Sequence, residues 1–368
     1  LALQKAGRHT DYRLPITDYR FQQQVNYKIN VTLDDTNHFL HADEEIEYIN
    51  YSPDDLEFIY FHLWPNAYKN NKTAFAKQKI SGSIMASTKF HYAREDDRGY
   101  IDSLDFRVNG QKVLWEYDPE HIDICKLFLN KPLKSGERIT ITTPFSVKLP
   151  HTFSRLGHVK QSYQISQWYP KPAVYDRYGW HPMPYLDQGE FYSEYGSFDV
   201  SITLPKNYVV GATGMLQNKE EIEWLEKKSA VGSRQLANST DSIINDLGSE
   251  KPTKNGDFPP SDPEMKTLRY VQDNIHDFAW FADKRYNVLK SEVELPHSKR
   301  KVTTWLMFTN RDAETWRNSV KDINDAVYYY SLWNGDYPYD WCTAVEGALG
   351  AGGGMEYPMV TVTGTHAI

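Results

Sequence analysis

The chain has 368 residues, of which 40% are hydrophobic and 24% are charged, and its formal net charge is −8 at pH 7. A chain of this length favours two domains, or one large domain with part of another, and the composition is that of a globular protein rather than a disordered one. The excess of acidic over basic residues argues against a nucleic-acid-binding protein, which normally presents a clustered basic face.

Alternating apolar and polar residues predict β-strands in the first half of the chain. Apolar side chains recur at every second position from Val25 to Leu33, which gives this strand one apolar face. The segment 56–64 is almost wholly apolar or aromatic, as in a strand covered on both faces, and Pro65 ends it. Many strands with few helices predict a large antiparallel β domain. Further strands are predicted at 39–49, 123–129, 138–145, 198–204 and 208–213.

The second half of the chain changes character twice. Residues 217–262 are rich in charged and small polar residues and predict a surface insertion, in which Glu220–Lys228 forms a short exposed helix. Strands are predicted again at 267–271 and 302–308. A helical spacing of apolar residues then follows, so we predict an all-β domain over 1–282 and a mixed domain over 283–368. The residues at this helical spacing are Trp316, Val320, Ile323, Val327 and Tyr330.

The two cysteines, Cys125 and Cys342, allow one disulfide but are more simply explained as two buried free thiols. No apolar run reaches the ~18 residues of a membrane span. The first ten residues lack the apolar core of a signal peptide, although such a peptide is removed from a mature chain. The compartment stays open, with a periplasmic or extracellular location favoured over the cytoplasm, and the oligomeric state is not defined.

The strongest signal of function is the sequence GGGMEYP at residues 352–358, which stands between two strand-like segments. Glycine lets the backbone approach a ligand closely, and a carboxylate held on such a segment can bind a cation. On spacing alone, the alternative is a flexible glycine-rich turn with a solvated glutamate.

This segment resembles the Gly-x-Met-Glu-Asn motif of the aminopeptidase N family of zinc peptidases. The matching residues are Gly353, Gly354, Met355 and Glu356. The resemblance implies that Glu356 binds the free α-amine of a peptide substrate and that the backbone of the motif lines the substrate cleft. Tyr357 stands where typical members have Asn, a departure that bears on the fine positioning of the substrate.

A second stretch, from Gln167 to Gly214, resembles the end of the N-terminal β domain of the same family, in a bacterial subgroup more than in the animal enzymes. Typical members read Thr-Gln-Phe-Glu-Pro where this chain reads Ser-Gln-Trp-Tyr-Pro at 166–170. The resemblance implies that Gln167 and Tyr169 lie at the substrate amine. Because a phenol is uncharged at pH 7, one of two expected anionic anchors is replaced by a hydrogen-bonding group.

The reaction of this family needs zinc, which is held by H-E-x-x-H on one helix and a Glu on the next. None of the 12 histidines lies in such a motif, and no Glu follows His366. We therefore expect no catalytic and no metal-binding residue in this chain, and no activity from the chain alone. We expect surface or packing roles for His38, His41, His151, His158 and His181.

The family resemblance implies a mainly β chain. A large antiparallel, saddle-like β-sandwich would be followed by the start of a thermolysin-like α+β catalytic domain, truncated before the zinc motif, with Glu356 at the edge of a small sheet. The implied function is that of the N-terminal portion of a zinc-dependent aminopeptidase, which hydrolyses the first peptide bond of peptides. The alternative is a non-catalytic β module that binds a peptide or a protein.

Overall fold

β-Strands dominate the computed structural model of the protein and helices are few, so the prediction of a mainly β fold is confirmed.

Cys125 and Cys342 are free thiols. Among the described helices, none combines the length and the hydropathy needed to cross a bilayer. The described residues are 21–78, 86–237, 258–310, 313–316, 318–347 and 353–364.

The largest sheet is built on the alternating sequence near the start of the chain. Apolar side chains from Val25 to Leu33 are buried, and the polar ones between them are exposed or partly exposed, because successive side chains of a strand point to opposite faces. The first nine strands are β1 (Gln24–Asp34), β2 (Phe39–Ile49), β3 (Leu56–His62), β4 (Tyr100–Asp102), β5 (Arg107–Val108), β6 (Gln111–Lys112), β7 (Trp115–Tyr117), β8 (Ile124–Leu133) and β9 (Arg138–Lys148).

The middle of the chain contributes ten further strands, several of them only two residues long. These strands are β10 (Gly157–Val159), β11 (Ser162–Ile165), β12 (Lys171–Pro172), β13 (Tyr175–Asp176), β14 (Gly179–Trp180), β15 (Gly196–Pro205), β16 (Val209–Ala212), β17 (Met215–Leu216), β18 (Met265–Ile275) and β19 (Trp280–Asp283).

Strands β1–β19 form four sheets. The nine-stranded sheet runs β17-β18-β15-β1-β2-β9-β5-β6, with β4 also paired to β9. Its pairs are antiparallel except for β1 and β15, which are parallel from Tyr27↔Phe198 to Thr32↔Thr203. Two four-stranded sheets, β10-β11-β19-β16 and β12-β3-β8-β7, and the β13-β14 hairpin complete this part.

The remaining strands form a separate mixed sheet of five strands in the order β20-β21-β22-β24-β23. Strands β21, β22 and β24 are parallel, whereas the two outer strands run antiparallel to their neighbours. Helices pack beside this sheet. The sheet and its helices together correspond to the α+β part that the sequence predicted. The strands are β20 (Asn287–Glu294), β21 (Lys301–Phe308), β22 (Trp341–Glu346), β23 (Gly354–Tyr357) and β24 (Val360–Thr363).

Two helix predictions need correction. The exposed helix predicted to end at Lys228 continues to Ala237, and it packs on β20, where the Ser229 hydroxyl accepts a hydrogen bond from the Lys290 N–H at 2.8 Å. The helical pattern from Trp316 to Tyr330 is divided between two helices. The helices are α1 (Ala74–Lys77), α2 (Ala86–His91), α3 (Lys219–Ala237), α4 (Ala313–Trp316) and α5 (Ser319–Asn334).

The five-stranded sheet packs directly onto the part that precedes it. Val345, Val360 and Val362 of this sheet belong to the same buried apolar cluster as Phe281 of β19. The domain boundary at residues 282–283 stays a prediction, and the polar insertion predicted over 217–262 lies in part outside the described residues.

Candidate functional site

Glu356 lies on β23, the last strand in the order of the five-stranded sheet. It pairs with Thr361 of β24, and its side chain is exposed. No hydrogen bond or ion pair joins this carboxylate to another described residue. An outer strand leaves one row of backbone N–H and C=O groups available to an extended peptide. Among the described residues, the free carboxylate of Glu356 therefore lies beside a row of backbone N–H and C=O groups that pair with no other strand.

The neighbours of Glu356 along the strand divide between the two faces of the sheet. Gly353 and Gly354 are exposed, Met355 is half-buried and Tyr357 is buried. The Tyr357 ring packs on Phe281, with ring centroids 6.0 Å apart. Tyr357 thus anchors the strand to the preceding β part while the adjacent carboxylate faces outward.

Tyr357 also connects the two sequence motifs in space. Burial raises the pKa of its phenol well above the usual range, and the Ser166 hydroxyl opposes that shift. Ser166 immediately precedes Gln167 in the second motif, and its own hydroxyl donates to the Arg155 carbonyl at 3.0 Å. The segment that begins at Ser166 therefore lies against the strand that carries Glu356.

Gln167 and Tyr169 both turn toward one buried carboxylate, Asp277. The Gln167 amide donates to Asp277 Oδ2 at 3.1 Å, and the Tyr169 hydroxyl donates to Oδ1 at 2.9 Å. Lys171 Nζ lies 2.7 Å from the same Oδ1 in an ion pair that is almost completely buried. The backbone N–H of Phe278 donates to it as well, at 2.9 Å.

This network fixes the ionisation of Asp277. Burial alone would raise its pKa, but the Lys171 ammonium and the hydrogen bonds from Lys171 and Tyr169 bring the pKa below its usual value. The carboxylate is therefore ionised in the core. The Oε1 atom of Gln167 is buried and has no hydrogen-bond partner among the described residues. The roles of Gln167 and Tyr169 at a substrate amine stay predictions.

The sequence analysis missed Asp277 and Lys171. Each is a single charged residue within an apolar or aromatic stretch, which is the one local signal of a buried pair. Their partnership spans 106 positions of the chain, and no local pattern reveals it.

A second polar cluster lies beside Tyr357. The Ser154 hydroxyl donates to Asp187 Oδ1 at 2.6 Å and is hydrogen-bonded to the Tyr185 hydroxyl at 2.8 Å. The Arg155 guanidinium donates to the Asp187 carbonyl at 3.1 Å and lies over an aromatic ring. These contacts hold Ser154 and Arg155 in place near Tyr357.

The zinc ion implied by the sequence resemblance does not fit the residues described here. Among them, no three side chains of His, Cys, Asp or Glu are grouped as a metal site requires. His366 lies outside the described residues. No step of catalysis through a metal is therefore assigned to this part of the protein.

Three histidines converge beside the large sheet. His38 stacks on His158 with ring centroids 3.8 Å apart, and His151 lies 6.3 Å from His158. His38 Nδ1 is hydrogen-bonded to the Tyr163 hydroxyl at 2.8 Å, and His158 Nδ1 to the Lys160 carbonyl at 2.8 Å. These contacts fit the packing role expected for them, although the sequence did not predict that they meet.

His158 should make the protein sensitive to acid. Burial, and then His38, lower the pKa of His158 to about 4, against about 6.5 in an unfolded chain. Because the unfolded chain takes up this proton first, the contribution to stability is complete above pH 6.5 and is lost as the pH falls toward 4. We expect wild type to lose about 2 kcal/mol more than His158→Gln between pH 7 and pH 5.

Urea unfolding at the two pH values measures this loss. Comparison with the variant removes the contribution of buried carboxyl groups with raised pKa values, such as Glu194, which acts in the opposite direction. His91→Gln, at an exposed site, should follow wild type. Equal losses in wild type and His158→Gln would contradict the prediction.

No family model and no curated protein sequence matches this chain. Solved structures do. An M1 zinc metallopeptidase mutant from Deinococcus radiodurans superposes with a TM-score of 0.55 at 12% identity, over 94% of this chain and 61% of that one. A two-domain M1 zinc metallopeptidase mutant bound to L-tryptophan gives 0.53 at 12% identity, with the same coverage. A Deinococcus radiodurans mutant bound to a Tyr-Ser-Ala substrate gives 0.51 at 11% identity.

These similarities establish the fold. The chain has the fold of the M1 zinc metallopeptidases over nearly its whole length, and it spans about 61% of the length of the structures that it matches. The prediction of a metallopeptidase-like N-terminal β part followed by an α+β part is therefore confirmed at the level of fold.

Proposed function

We propose that this chain is the N-terminal portion of a zinc-dependent aminopeptidase and that it binds the free amino end of the peptide substrate. The observation that carries the proposal is the exposed Glu356 carboxylate on the outer strand of the five-stranded sheet. The similarity to M1 zinc metallopeptidase structures, one of them bound to a tripeptide substrate, supports the choice of a peptidase over other hydrolases. Zinc would be bound by residues other than those described.

The proposed binding mode follows from the geometry of the strand. An extended peptide lies along the free edge of β23 and forms hydrogen bonds with its backbone, including that of Gly354. The Gly353 carbonyl faces the other way and accepts from the Gly364 N–H at 3.0 Å. The first residue of the peptide lies beside Glu356, and its α-ammonium forms a charge-assisted hydrogen bond with the Glu356 carboxylate. A peptide without a free amine would lose this bond and leave the carboxylate unpaired.

Gln167 supplies a second acceptor in this proposal. Its buried Oε1 atom has no partner among the described residues, and its neighbour Ser166 lies against Tyr357. Tyr169 acts indirectly in this proposal. Its hydroxyl donates to the Asp277 carboxylate and orients it, and that carboxylate in turn accepts a hydrogen bond from the Gln167 amide. Met355 and Tyr357 set the position of the strand.

The test compares two peptides on the 368-residue chain. We expect Leu-Gly-Gly to bind at least about tenfold more tightly than N-acetyl-Leu-Gly-Gly, because a hydrogen bond to a charged group contributes about 1.5–3 kcal/mol. Glu356→Gln should remove this preference. Isothermal titration calorimetry at pH 7 measures both affinities.

Glu292→Gln is the matched control, since Glu292 is an exposed glutamate on β20, at the opposite edge of the same sheet. It should keep the preference of wild type. A loss of affinity for both peptides to the same extent in Glu356→Gln would contradict amine recognition. Equal binding of both peptides by wild type would favour a general peptide-binding module instead.

A further inference from the structure

A cleft of about 510 Å³ lies away from β23 and is lined by other segments of the chain. One wall is the segment that precedes β1, another is the β13-β14 hairpin, and the third is the segment that leads into β15. Clefts of this volume suit small organic ligands. The lining residues are Phe21, Gln22, Val174, Tyr175, Asp176, Arg177, Tyr192 and Glu194.

Two carboxyl groups from different segments face this cleft. Glu194 is 4% exposed, and its Oε1 atom accepts a hydrogen bond from the Tyr175 N–H at 3.3 Å. Asp176 Oδ1 accepts from the Tyr178 N–H at 2.8 Å and contacts His181 Nε2 at 2.7 Å. Both carboxyl groups are thus held in place by neighbouring groups rather than free to turn into solvent.

Aromatic rings form the sides of the cleft. Phe21 stacks on Tyr175 with centroids 6.1 Å apart, and Tyr192 donates from its hydroxyl to Asp176 Oδ2 at 3.3 Å. The one cationic side chain in the lining, Arg177, lies over the ring of Tyr178 and donates to its hydroxyl at 2.6 Å. The guanidinium is therefore engaged by its neighbour on the hairpin.

We propose that this cleft binds a small organic cation, a primary amine carried on an aromatic or aliphatic body. The ammonium would lie between Glu194 and Asp176, and the apolar body would pack on the rings of Phe21 and Tyr192. Carboxylates pair with ammonium groups, and the faces of aromatic rings attract cations. The carboxyl groups and the aromatic rings of the cleft therefore both favour a ligand that carries an ammonium group. This site is independent of the one proposed at Glu356.

The ionisation of Glu194 makes the binding depend on pH. Burial, with a further contribution from the Asp176 charge, raises the pKa of Glu194 to about 8, while hydrogen bonds from Tyr175 and Gln22 oppose the shift. An amine stays protonated up to about pH 9–10. Its affinity should therefore rise as Glu194 loses its proton. The other titratable groups that face Glu194 are Tyr27, Tyr48, Asp176 and Tyr192.

The experiment uses 2-phenylethylamine as the probe, with 2-phenylethanol as its uncharged analogue. All proteins carry Glu356→Gln, so that binding of the amine at the proposed substrate site does not contribute. Calorimetric titration should give an affinity for the amine that rises about tenfold or more from pH 6.5 to pH 8.5. The alcohol should bind at least tenfold more weakly at pH 8.5.

Two variants test the residues. Adding Glu194→Gln should remove the pH dependence and weaken amine binding at least tenfold at pH 8.5. Tyr192→Leu should weaken it about threefold to fivefold, whereas Tyr92→Leu, at an exposed tyrosine outside the lining, should leave it unchanged. The proposal is overturned if the amine does not bind at 10 mM, if the alcohol binds equally well, or if neither lining variant changes the affinity.

Discussion

Replacing Asp277 by asparagine should destabilise the protein by about 3–5 kcal/mol, because Lys171 would then be a buried charge without a counter-charge. The variant keeps the size of the side chain and so leaves the packing around it intact. It replaces an ionised acceptor, which receives hydrogen bonds from Gln167, Tyr169, Lys171 and the Phe278 N–H, by a neutral amide with one acceptor atom. Urea unfolding at pH 7, followed by tryptophan fluorescence, measures the loss.

The control is an ion pair of similar geometry on the surface. Arg269 contacts Asp199 at 2.7 Å, but both side chains are substantially exposed, so Asp199→Asn should change the free energy of unfolding by about 1 kcal/mol or less. The double variant Asp277→Asn with Lys171→Met should recover part of the loss, because it removes the unpaired charge. Equal effects of the two single Asp→Asn changes would show that Asp277 does not hold Lys171.

Replacing Gly196 by alanine should destabilise the protein by about 3 kcal/mol, through a clash between backbones. A Cβ atom at Gly196 would lie 1.7 Å from the carbonyl oxygen of Val25 and 2.5 Å from its carbonyl carbon. Neither atom belongs to a side chain that could rotate away. The strands β1 and β15 would have to separate at the start of their parallel pairing, where the Val25 N–H donates to the Tyr195 carbonyl.

Gly364→Ala is the matched control for this prediction. An added Cβ there would meet carbonyl oxygens at 3.8 and 3.9 Å, which is ordinary contact, so the stability should change by about 0.5 kcal/mol. Thermal and urea unfolding of the two variants give the comparison. If Gly196→Ala were as stable as Gly364→Ala, the close approach of β15 to β1 would be wrong.

Sequence patterns predicted the elements that depend on neighbouring residues. The alternation from Val25 to Leu33 located β1, because burial of one strand face leaves a period of two in the sequence. The position of Glu356 on an outer strand of a small sheet agrees with what the family resemblance implied, rather than with the flexible turn that its glycine-rich surroundings alone allowed. Patterns of this kind are local and can be read directly.

Features that depend on distant residues could not be predicted in the same way. The helix α3 extends to Ala237 beyond its predicted end, and its contact with β20 stabilises it in a manner that its own polar composition does not indicate. The stacking of His38 on His158 and the ion pair of Lys171 with Asp277 join segments more than a hundred positions apart. The parallel pairing of β1 with β15 also joins segments that are far apart in the sequence.

The position of β1 between β2 and β15 has a consequence for the newly synthesised chain. β2 follows β1 closely and can pair with it early, but the contact of Ser197 with Asn26 spans 171 positions. At translation rates of about 5–20 residues per second, roughly 10 to 30 seconds pass before β15 leaves the ribosome. During that interval, the hydrogen-bonding edge of β1 that later pairs with β15 remains uncovered, and a chaperone that binds this edge would protect the chain from wrong pairing.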